Sequence, residues 1–256
     1  MDFKAMTGKE IEAFLKDQVS EHYKLYIPKL MEDERSAVQK IGLKLQKKLE
    51  KLSTEKERVE SLWFYEKELA KEGYRMIAGL DEAGRGPLAG PVVAAAVILP
   101  FDLFIDGIND SKKISEKKRE KLYDIINEKA LAVGVGIVEN NVIDEINILR
   151  ATKRAMGEAV KNLEIKSDFL LIDAVKLTDI KIKQQSVIKG DQKSISIAAA
   201  SIIAKVTRDR IMNQYHEVFP EYGFVSHKGY GTKEHYESIE KHGITPIHRK
   251  SFLQNL

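Results

Sequence analysis

Residues 77–91 read Ile-Ala-Gly-Leu-Asp-Glu-Ala-Gly-Arg-Gly-Pro-Leu-Ala-Gly-Pro, and a second apolar run extends from Val92 to Leu99. The first apolar run predicts a buried strand that carries two adjacent carboxylates, Asp81 and Glu82, onto a glycine-rich turn. Carboxylates at a strand end can bind a divalent metal ion, and glycines let backbone amides approach a ligand closely. The stretch therefore indicates metal-dependent chemistry on a phosphate-bearing substrate. An acidic β-turn between two hairpin strands has a similar composition.

The glycine spacing of this turn excludes two common nucleotide-binding loops. A P-loop has Lys and then Ser or Thr after its last glycine, whereas Gly90 is followed by Pro91. A dinucleotide fingerprint has the spacing G-x-G-x-x-G, whereas Gly84, Gly86 and Gly90 are spaced G-x-G-x-x-x-G. A nucleotide-dependent phosphotransferase would therefore lack both of its usual loop patterns.

The composition is that of a globular protein, with 43% hydrophobic and 32% charged residues in a chain of 256. No apolar run approaches the roughly 20 residues that span a bilayer, and the N-terminus has no apolar signal-peptide core. The chain contains no cysteine, which excludes disulfides, thiolate metal sites and cysteine nucleophiles. We therefore expect a cytoplasmic protein without a membrane partner.

The net charge of +3 is small, but the charge is unevenly distributed. Residues 1–72 contain 15 basic and 15 acidic residues, whereas residues 181–256 contain 12 basic and 7 acidic ones. A basic C-terminal third fits a polyanionic partner, although a solvated basic surface would have the same composition.

Two regions with different periodicity divide the chain. Residues 1–72 show apolar residues at helical spacing and no strand pattern, which predicts a small all-helical extension with a helix start at Ser53. Residues 73–256 alternate between strand and helix patterns, which predicts an α/β domain. The predicted strands cover 75–81, 91–99, 131–139, 169–175 and 180–187, and a long alanine-rich helix covers 194–218.

Three further aspartates are candidates for chemistry. Asp173 ends the apolar strand Phe169-Leu-Leu-Ile-Asp173, the position expected of a metal ligand, although a helix or turn cap is the alternative. Asp191 precedes the alanine-rich helix and could be its N-cap. Asp209 lies between two arginines and is predicted to be a structural ion-pair partner. Carboxylates from several strand ends suit Mg²⁺, and two such ions can clamp both oxygens of a phosphoryl displacement.

Several further motifs follow the first one in order along the chain. The full set is Asp81-Glu-Ala-Gly-Arg-Gly-Pro-Leu-Ala-Gly-Pro91, Asn109-Asp-Ser-Lys-Lys-Ile-Ser115, Ile146-Asn-Ile-Leu-Arg-Ala-Thr152, Leu171-Ile-Asp173, Lys189-Gly-Asp191, Ile197 to Asp209, His227-Lys-Gly-Tyr-Gly-Thr232 and His248-Arg249. Taken together, these motifs closely resemble those of the ribonuclease HII family, bacterial type. The Gly-Arg-Gly of the first motif separates the chain from the sister family, ribonuclease HIII.

The resemblance implies a ribonuclease H-like fold, a five-stranded mixed sheet flanked by helices. It implies a monomeric enzyme, dependent on Mg²⁺ or Mn²⁺, that cuts RNA–DNA hybrids and DNA duplexes containing ribonucleotides. Cleavage 5′ to the ribonucleotide would leave a 3′-hydroxyl and a 5′-phosphate. The minimal family pattern does not contain residues 1–72, for which duplex binding, partner docking and simple stabilisation remain equally open.

The resemblance also implies a role for each matching residue. The metal-binding carboxylates are Asp81, Glu82, Asp173 and Asp191. The residues that touch the ribose 2′-hydroxyl are Gly84, Arg85 and Gly86, and Tyr230 would contact the sugar of the following deoxynucleotide. The candidates for contacts with backbone phosphates are Ser111, Lys112, Asn147, Lys176 and Lys193.

Two alternatives remain at this point. A two-metal nuclease or recombinase of the same fold would cut DNA rather than RNA. A non-catalytic hybrid-binding module is a different class, but a phosphate-binding cleft that kept four carboxylates without a metal ion would repel its ligand.

Overall fold

The computed structural model describes residues 3–253. This part of the chain divides into two compact units, with the division between Arg58 and Val59. The domain boundary that the sequence predicts, between residues 72 and 73, stays a prediction. The chain-terminal residues 1–2 and 254–256, which belong to the two predicted domains, lie outside the described part. No helix in the described range is long and apolar enough to cross a membrane.

The first unit is helical, as predicted. Helix α1 covers Gly8–Lys16, α2 covers Tyr23–Met31, and α3 covers Ser36–Leu62 and continues into the second unit. The predicted helix start at Ser53 is wrong, because α3 passes through it without interruption. The neighbouring Thr54 hydroxyl donates a hydrogen bond of 3.1 Å to the Glu50 carbonyl, one turn back. The Thr54 side chain therefore bonds within the helix and does not cap a helix start.

Residues 59–71 pack into the second unit. Val59, Leu62 and Trp63 are buried in its core, and the Trp63 indole donates a hydrogen bond of 3.3 Å to the Leu103 carbonyl. Helix α4, Phe64–Lys71, contributes the buried Leu69 to another cluster of the same unit. Helical periodicity shows which face of a helix is apolar, but it does not show which core that face joins.

The second unit is built on a five-stranded mixed sheet, which confirms the predicted fold class. The strands are β1 Ile77–Ala83, β2 Val92–Ile98, β3 Ala132–Val138, β4 Phe169–Asp173 and β5 Lys183–Val187. Their order in the sheet is β3-β2-β1-β4-β5. Strands β1, β2 and β3 pair antiparallel, whereas β4 pairs parallel with both β1 and β5.

Helices cover both faces of this sheet. The helices are α5 Glu116–Lys129, α6 Asn140–Ile146, α7 Ile148–Lys161, α8 Ile195–Val218, α9 Phe224–His227 and α10 Lys233–His242. One core lies between the sheet and helices α5 and α8, and another lies between the sheet and α7. Helix α8 approaches β1 so closely that a Cβ atom on Gly79 would lie 2.1 Å from the Ser196 carbonyl carbon.

The register between β1 and β4 positions the candidate site. Leu80 lies opposite Ile172 in this parallel pair, so the next residues along the chain are Asp81 and Asp173. Parallel neighbours end at the same edge of a sheet. The two predicted carboxylates therefore meet at one edge, although 92 positions separate them in the sequence.

Candidate active site

Asp81 is the most deeply buried of the predicted carboxylates. Its residue is 6% exposed, and its Oδ1 atom accepts a hydrogen bond of 2.7 Å from the Glu82 amide. Burial raises the pKa of Asp81 well above its usual value, and the negative charges of Glu82 and Asp173 raise it further. The ionised carboxylate is therefore destabilised until a positive charge is placed beside it.

Glu82 has one oxygen paired and one free. Burial raises the pKa of Glu82, whereas the Arg85 guanidinium lies 3.3 Å from Oε1 and lowers it. Within residues 3–253, the buried Oε2 atom has no hydrogen-bond partner. A buried, unpaired carboxylate oxygen of this kind has the chemistry of a metal ligand.

Asp173 and Asp191 are held together by a backbone contact. The Gly190 amide donates a hydrogen bond of 2.8 Å to Asp173 Oδ1, and Asp191 follows in the 3₁₀ turn Gly190–Gln192. Ser194, rather than Asp191, is the N-cap of α8. The Asp191 carboxylate is therefore not used as a helix cap, which was the alternative that the sequence left open.

Burial raises the pKa of Asp191 to about 6, with Asp110 and Asp173 adding to the effect. Asp110 is itself buried, at 6% exposure, and was not predicted as a site residue. The only sequence signal for it was its place in the Asn109–Ser115 motif, where it stands beside Ser111.

A second side chain that the sequence analysis missed is Ser201 on α8. Its hydroxyl donates a hydrogen bond of 2.7 Å to the Ser111 hydroxyl, and a hydrogen bond between Ser201 and Asp81 lowers the pKa of that carboxyl. In the sequence, Ser201 lies within the alanine-rich stretch that was predicted to be the helix 194–218. The pattern of small residues gave no sign that this serine faces the carboxylates.

A cleft of about 720 Å³ opens beside these residues. Besides the carboxylates Asp81 and Glu82, it is lined by predicted substrate-binding residues from three segments of the chain. They are Gly84, Arg85, Gly86, Ser111, Lys112 and Tyr230. The residues of the lining that had not been predicted are Ala83, Ile148, Ser201, Lys205 and Arg208.

Tyr230 lies beside the glycine turn in the cleft lining. The residue is 45% exposed, and its Cε1 atom lies 3.6 Å from the position that a Cβ atom on Gly86 would take. Its carbonyl oxygen is 2.9 Å from His235 Nδ1, which anchors the backbone at this point. The aromatic ring is thus free to contact a ligand while the main chain is held.

The remaining predicted phosphate contacts lie outside the cleft wall. Asn147 has a φ of +66° and caps α7, because its side chain accepts a hydrogen bond from the Arg150 amide. Lys176 and Lys193 are exposed. The structure brings none of these three side chains into the cleft lining.

Asp209 is an ion-pair partner, as predicted, but its partners differ from the flanking arginines. Lys205 Nζ lies 2.6 Å from Asp209 Oδ1, and an Arg119 nitrogen lies 3.8 Å from Oδ2. Helical geometry places Lys205 one turn before Asp209 on the same face of α8. Asp209 is therefore separate from the carboxylate cluster, by which we mean Asp81, Glu82, Asp173 and Asp191.

The donor set fits a divalent cation. In the described chain, no three carboxylate or imidazole side chains form a ready-made metal site. Burial nevertheless raises the pKa values of Asp81, Glu82 and Asp191, neighbouring carboxylates add to each rise, and one Glu82 oxygen has no partner among the described residues. Oxygen ligands with excess negative charge are the chemistry that Mg²⁺ and Mn²⁺ bind.

Comparisons with known sequences match this chain to one protein family. A family model described as Ribonuclease HII matches residues 78–255, and one described as Ribonuclease HII N-terminal domain matches residues 7–70. The ribonuclease HII of Clostridioides difficile strain 630 is 56% identical over 97% of both chains. That of Acetivibrio thermocellus is 58% identical over 98% of both.

Solved structures show the same fold. The crystal structure of ribonuclease H2 from Pyrococcus horikoshii has a TM-score of 0.57 at 26% identity, covering 71% of this chain and all of that one. A structure of the PCNA:RNase HII complex from Archaeoglobus fulgidus has a TM-score of 0.55 at 28% identity, covering 68% and 94%. The chain therefore belongs to the ribonuclease HII family and is a metal-dependent endoribonuclease that acts on RNA–DNA hybrids.

Proposed function

We propose that this cleft cuts DNA duplexes at single embedded ribonucleotides as well as the RNA strand of longer hybrids. The cut falls 5′ to the ribonucleotide and leaves a 3′-hydroxyl and a 5′-phosphate. The observation that supports this most directly is the meeting of mutually repelling carboxylates and an open glycine turn in one cleft. The carboxylates suit metal-assisted phosphate chemistry, and the glycine turn allows the backbone to make close contact with a sugar.

Asp81, Glu82, Asp173 and Asp191 are the proposed ligands of two Mg²⁺ or Mn²⁺ ions. When bound, such ions supply charge stabilisation for both the attacking and the departing oxygen of a phosphoryl displacement. The protein contributes a buried and negatively charged edge of the sheet, held in register by the β1–β4 pairing. Lys112 lowers the pKa of Glu82 and Asp191, and thus favours their ionised forms.

Recognition of the sugar is assigned to the glycine turn and to Tyr230. Gly84 and Gly86 line the cleft and carry no side chain, so the backbone of the turn around Arg85 can approach a 2′-hydroxyl closely. Tyr230 faces the turn and offers an exposed ring to the sugar on the 3′ side. A ring in that place distinguishes the nucleotide after the ribonucleotide by its shape.

The basic side chains around the cleft are proposed to hold the duplex backbone. Lys112 and Ser111 line the cleft directly, whereas Asn147, Lys176 and Lys193 are assigned to phosphates farther along the duplex. Such contacts fix the position of the duplex without reading its sequence. The enzyme is proposed to act as a monomer, because every residue assigned above to metal or sugar belongs to one chain, and in the cytoplasm, which the lack of cysteine fits.

The experiment is a cleavage assay on an end-labelled DNA duplex with one ribonucleotide. We expect cutting at its 5′ side with Mg²⁺ or Mn²⁺, none with EDTA, and none of an all-DNA control. Cutting of the all-DNA duplex would indicate a DNA nuclease of the same fold. Binding without cutting by folded protein, with either metal, would support a hybrid-binding module instead.

A further inference from the structure

Two arginines are buried behind the glycine turn without an acidic partner. Arg208 is 1% exposed and Arg249 is 0% exposed. Among the described residues, neither guanidinium has a carboxylate within salt-bridge distance, and the Asp209 carboxylate beside Arg208 is taken by Lys205 and Arg119. Burying a cation in this way is costly unless other groups compensate for the lost water.

Backbone carbonyls supply that compensation. Arg249 donates to the carbonyls of Gly84, Arg85, Gly90 and Pro91 at 2.6, 3.0, 2.9 and 3.1 Å. Arg208 donates to the carbonyls of Ala89, Pro91 and Lys228, each at 3.0 Å. Burial nevertheless lowers the pKa of Arg208 to about 10 and that of Arg249 to about 9.

The contacts of Arg249 determine the direction of two amides. In a trans peptide the C=O and N–H bonds point in opposite directions. Arg249 binds the carbonyls of Gly84 and Arg85, so the amides of the same two peptides, those of Arg85 and Gly86, point away from it. Within residues 3–253 neither amide donates to a protein acceptor, and both residues line the cleft.

Arg208 connects the glycine turn to the segment that carries Tyr230. Its three acceptors lie on both segments, at Ala89 and Pro91 on one side and at Lys228 on the other. The Leu88 amide also donates to the Gly229 carbonyl at 2.8 Å. The glycine turn and the Tyr230 segment are therefore joined by the Arg208 guanidinium and by one backbone hydrogen bond.

We propose that Arg208 and Arg249 are positioning residues that hold the glycine turn and Tyr230 as one rigid recognition unit for the ribonucleotide. Arg249 orients two free amide donors toward the sugar, and Arg208 sets the distance between that turn and the tyrosine. This inference rests on the proposed cleavage at single ribonucleotides. It assigns to two arginines outside the carboxylate cluster a part in substrate choice.

A guanidinium suits this task better than other side chains. Its five N–H donors lie in one fixed plane, so a single side chain can hold several carbonyls at defined angles. Lysine carries the same charge but has a compact ammonium with three donors, and it cannot span four carbonyls. Substitution by lysine therefore separates the role of the charge from the role of the geometry.

The test compares kcat/KM on a single-ribonucleotide duplex with kcat/KM on a long RNA–DNA hybrid. For Arg249→Lys, Arg208→Lys and Arg249→Ala we expect the ratio of the two constants to fall by about 10- to 100-fold, the loss typical of misplaced substrate. Added methylguanidinium should restore the ratio in Arg249→Ala by occupying the space left behind. The matched control is Met156→Ala, in the core on the α7 side of the sheet, which should lower the melting temperature and leave the ratio unchanged.

Each other outcome is informative. An unchanged ratio in the lysine variants, or an equal loss on both substrates without rescue, would assign the arginines a purely structural role and overturn the inference. Should Arg249→Ala fail to fold, the two lysine variants decide the matter. The wild-type protein is assayed first on the single-ribonucleotide duplex. If it does not cut that duplex, the proposed function is contradicted, whatever the variants do.

Discussion

The Gly190 amide donates a hydrogen bond of 2.8 Å to Asp173 Oδ1. This contact joins the end of β4 to the turn that carries Asp191, and so places two carboxylates from separate segments at one edge of the sheet. Burial and the charges of Asp110 and Asp173 raise the pKa of Asp191 as a result. The ionised carboxylates of Asp173 and Asp191 repel each other, and a bound divalent cation would offset this repulsion.

Substitution of Asp81 by asparagine tests the carboxylate cluster. We expect Asp81→Asn to lower kcat by at least about 100-fold, because the variant loses a proposed metal ligand. Loss of a residue that only supports a ligand typically costs about 10- to 100-fold. Hybrid binding, measured by fluorescence anisotropy, should persist because the basic surface is intact. Asp124→Asn on the exposed face of α5 serves as control. Cutting by Asp81→Asn at near wild-type rate would contradict the assignment.

Asp191 makes the stability of metal-free protein depend on pH. Its folded-state pKa of about 6 lies above the ordinary value of 3.8, so its favourable contribution is complete below 3.8 and is lost as the pH rises through 6. Asp191→Asn should therefore raise the free energy of unfolding in EDTA at neutral pH, by about 1–2 kcal/mol after allowance for solvent screening, and change little near the ordinary pKa.

Thermal melting in EDTA, at neutral pH and at a pH near the ordinary aspartate pKa, measures this effect. Mg²⁺ is then added at neutral pH. Mg²⁺ should raise the melting temperature of the wild type more than that of Asp191→Asn, because bound metal stabilises only the folded state. If Asp191→Asn is less stable than the wild type at neutral pH in EDTA, the Asp191 carboxylate stabilises the metal-free fold and the prediction is wrong.

Arg85 and Tyr230 are expected to act on substrate choice. Arg85→Ala and Tyr230→Ala should each lower kcat/KM on a single-ribonucleotide duplex more than on a long hybrid, because the long hybrid offers many equivalent sites and contacts. Tyr236→Ala, at a similarly exposed tyrosine of α10 that does not line the cleft, is the matched control for loss of an aromatic ring. Equal losses on both substrates would remove the proposed role in sensing the ribonucleotide.

Two glycines of the same turn should respond differently to alanine. Gly84 has a φ of +93°, and a Cβ atom there would lie 2.1 Å from the Arg208 Nε atom, so Gly84→Ala combines backbone strain with a collision. We expect a loss of at least about 2 kcal/mol in the free energy of unfolding. A Cβ atom on Gly86 meets nothing nearer than 3.6 Å, so Gly86→Ala should cost less than about 1 kcal/mol. Denaturant titration of both variants is the measurement, and equal costs would contradict the close fit of Gly84 on Arg208.

Truncation tests where the second unit begins. Deletion of residues 1–58 should leave a folded protein, because the compact units divide after Arg58. Deletion of residues 1–72 also removes Trp63 and Leu69 from the core, and should lower the melting temperature steeply or prevent folding. Circular dichroism of both products distinguishes the boundaries. Equal melting temperatures would favour the boundary that the sequence predicted.

Local patterns in the sequence were sufficient for much of this fold. The apolar runs before Asp81 and Asp173 predicted two strands with acids at their ends, because strand formation depends on residues close together in the chain. The motif from residue 81 to 91 indicated the family, and the alternation of strands and helices after residue 73 predicted the class of fold. The five-stranded mixed sheet confirms that class.

Only the tertiary structure decided which distant side chains meet. The β1–β4 register places Asp173 beside Asp81, and packing of α8 brings Ser201 to the same edge. Helical periodicity in residues 59–71 could not show that this stretch belongs to the second core, because an apolar face fits any apolar partner. Likewise, nothing local marks Arg208 or Arg249 as buried, since their burial depends on carbonyls that lie more than one hundred positions earlier in the chain.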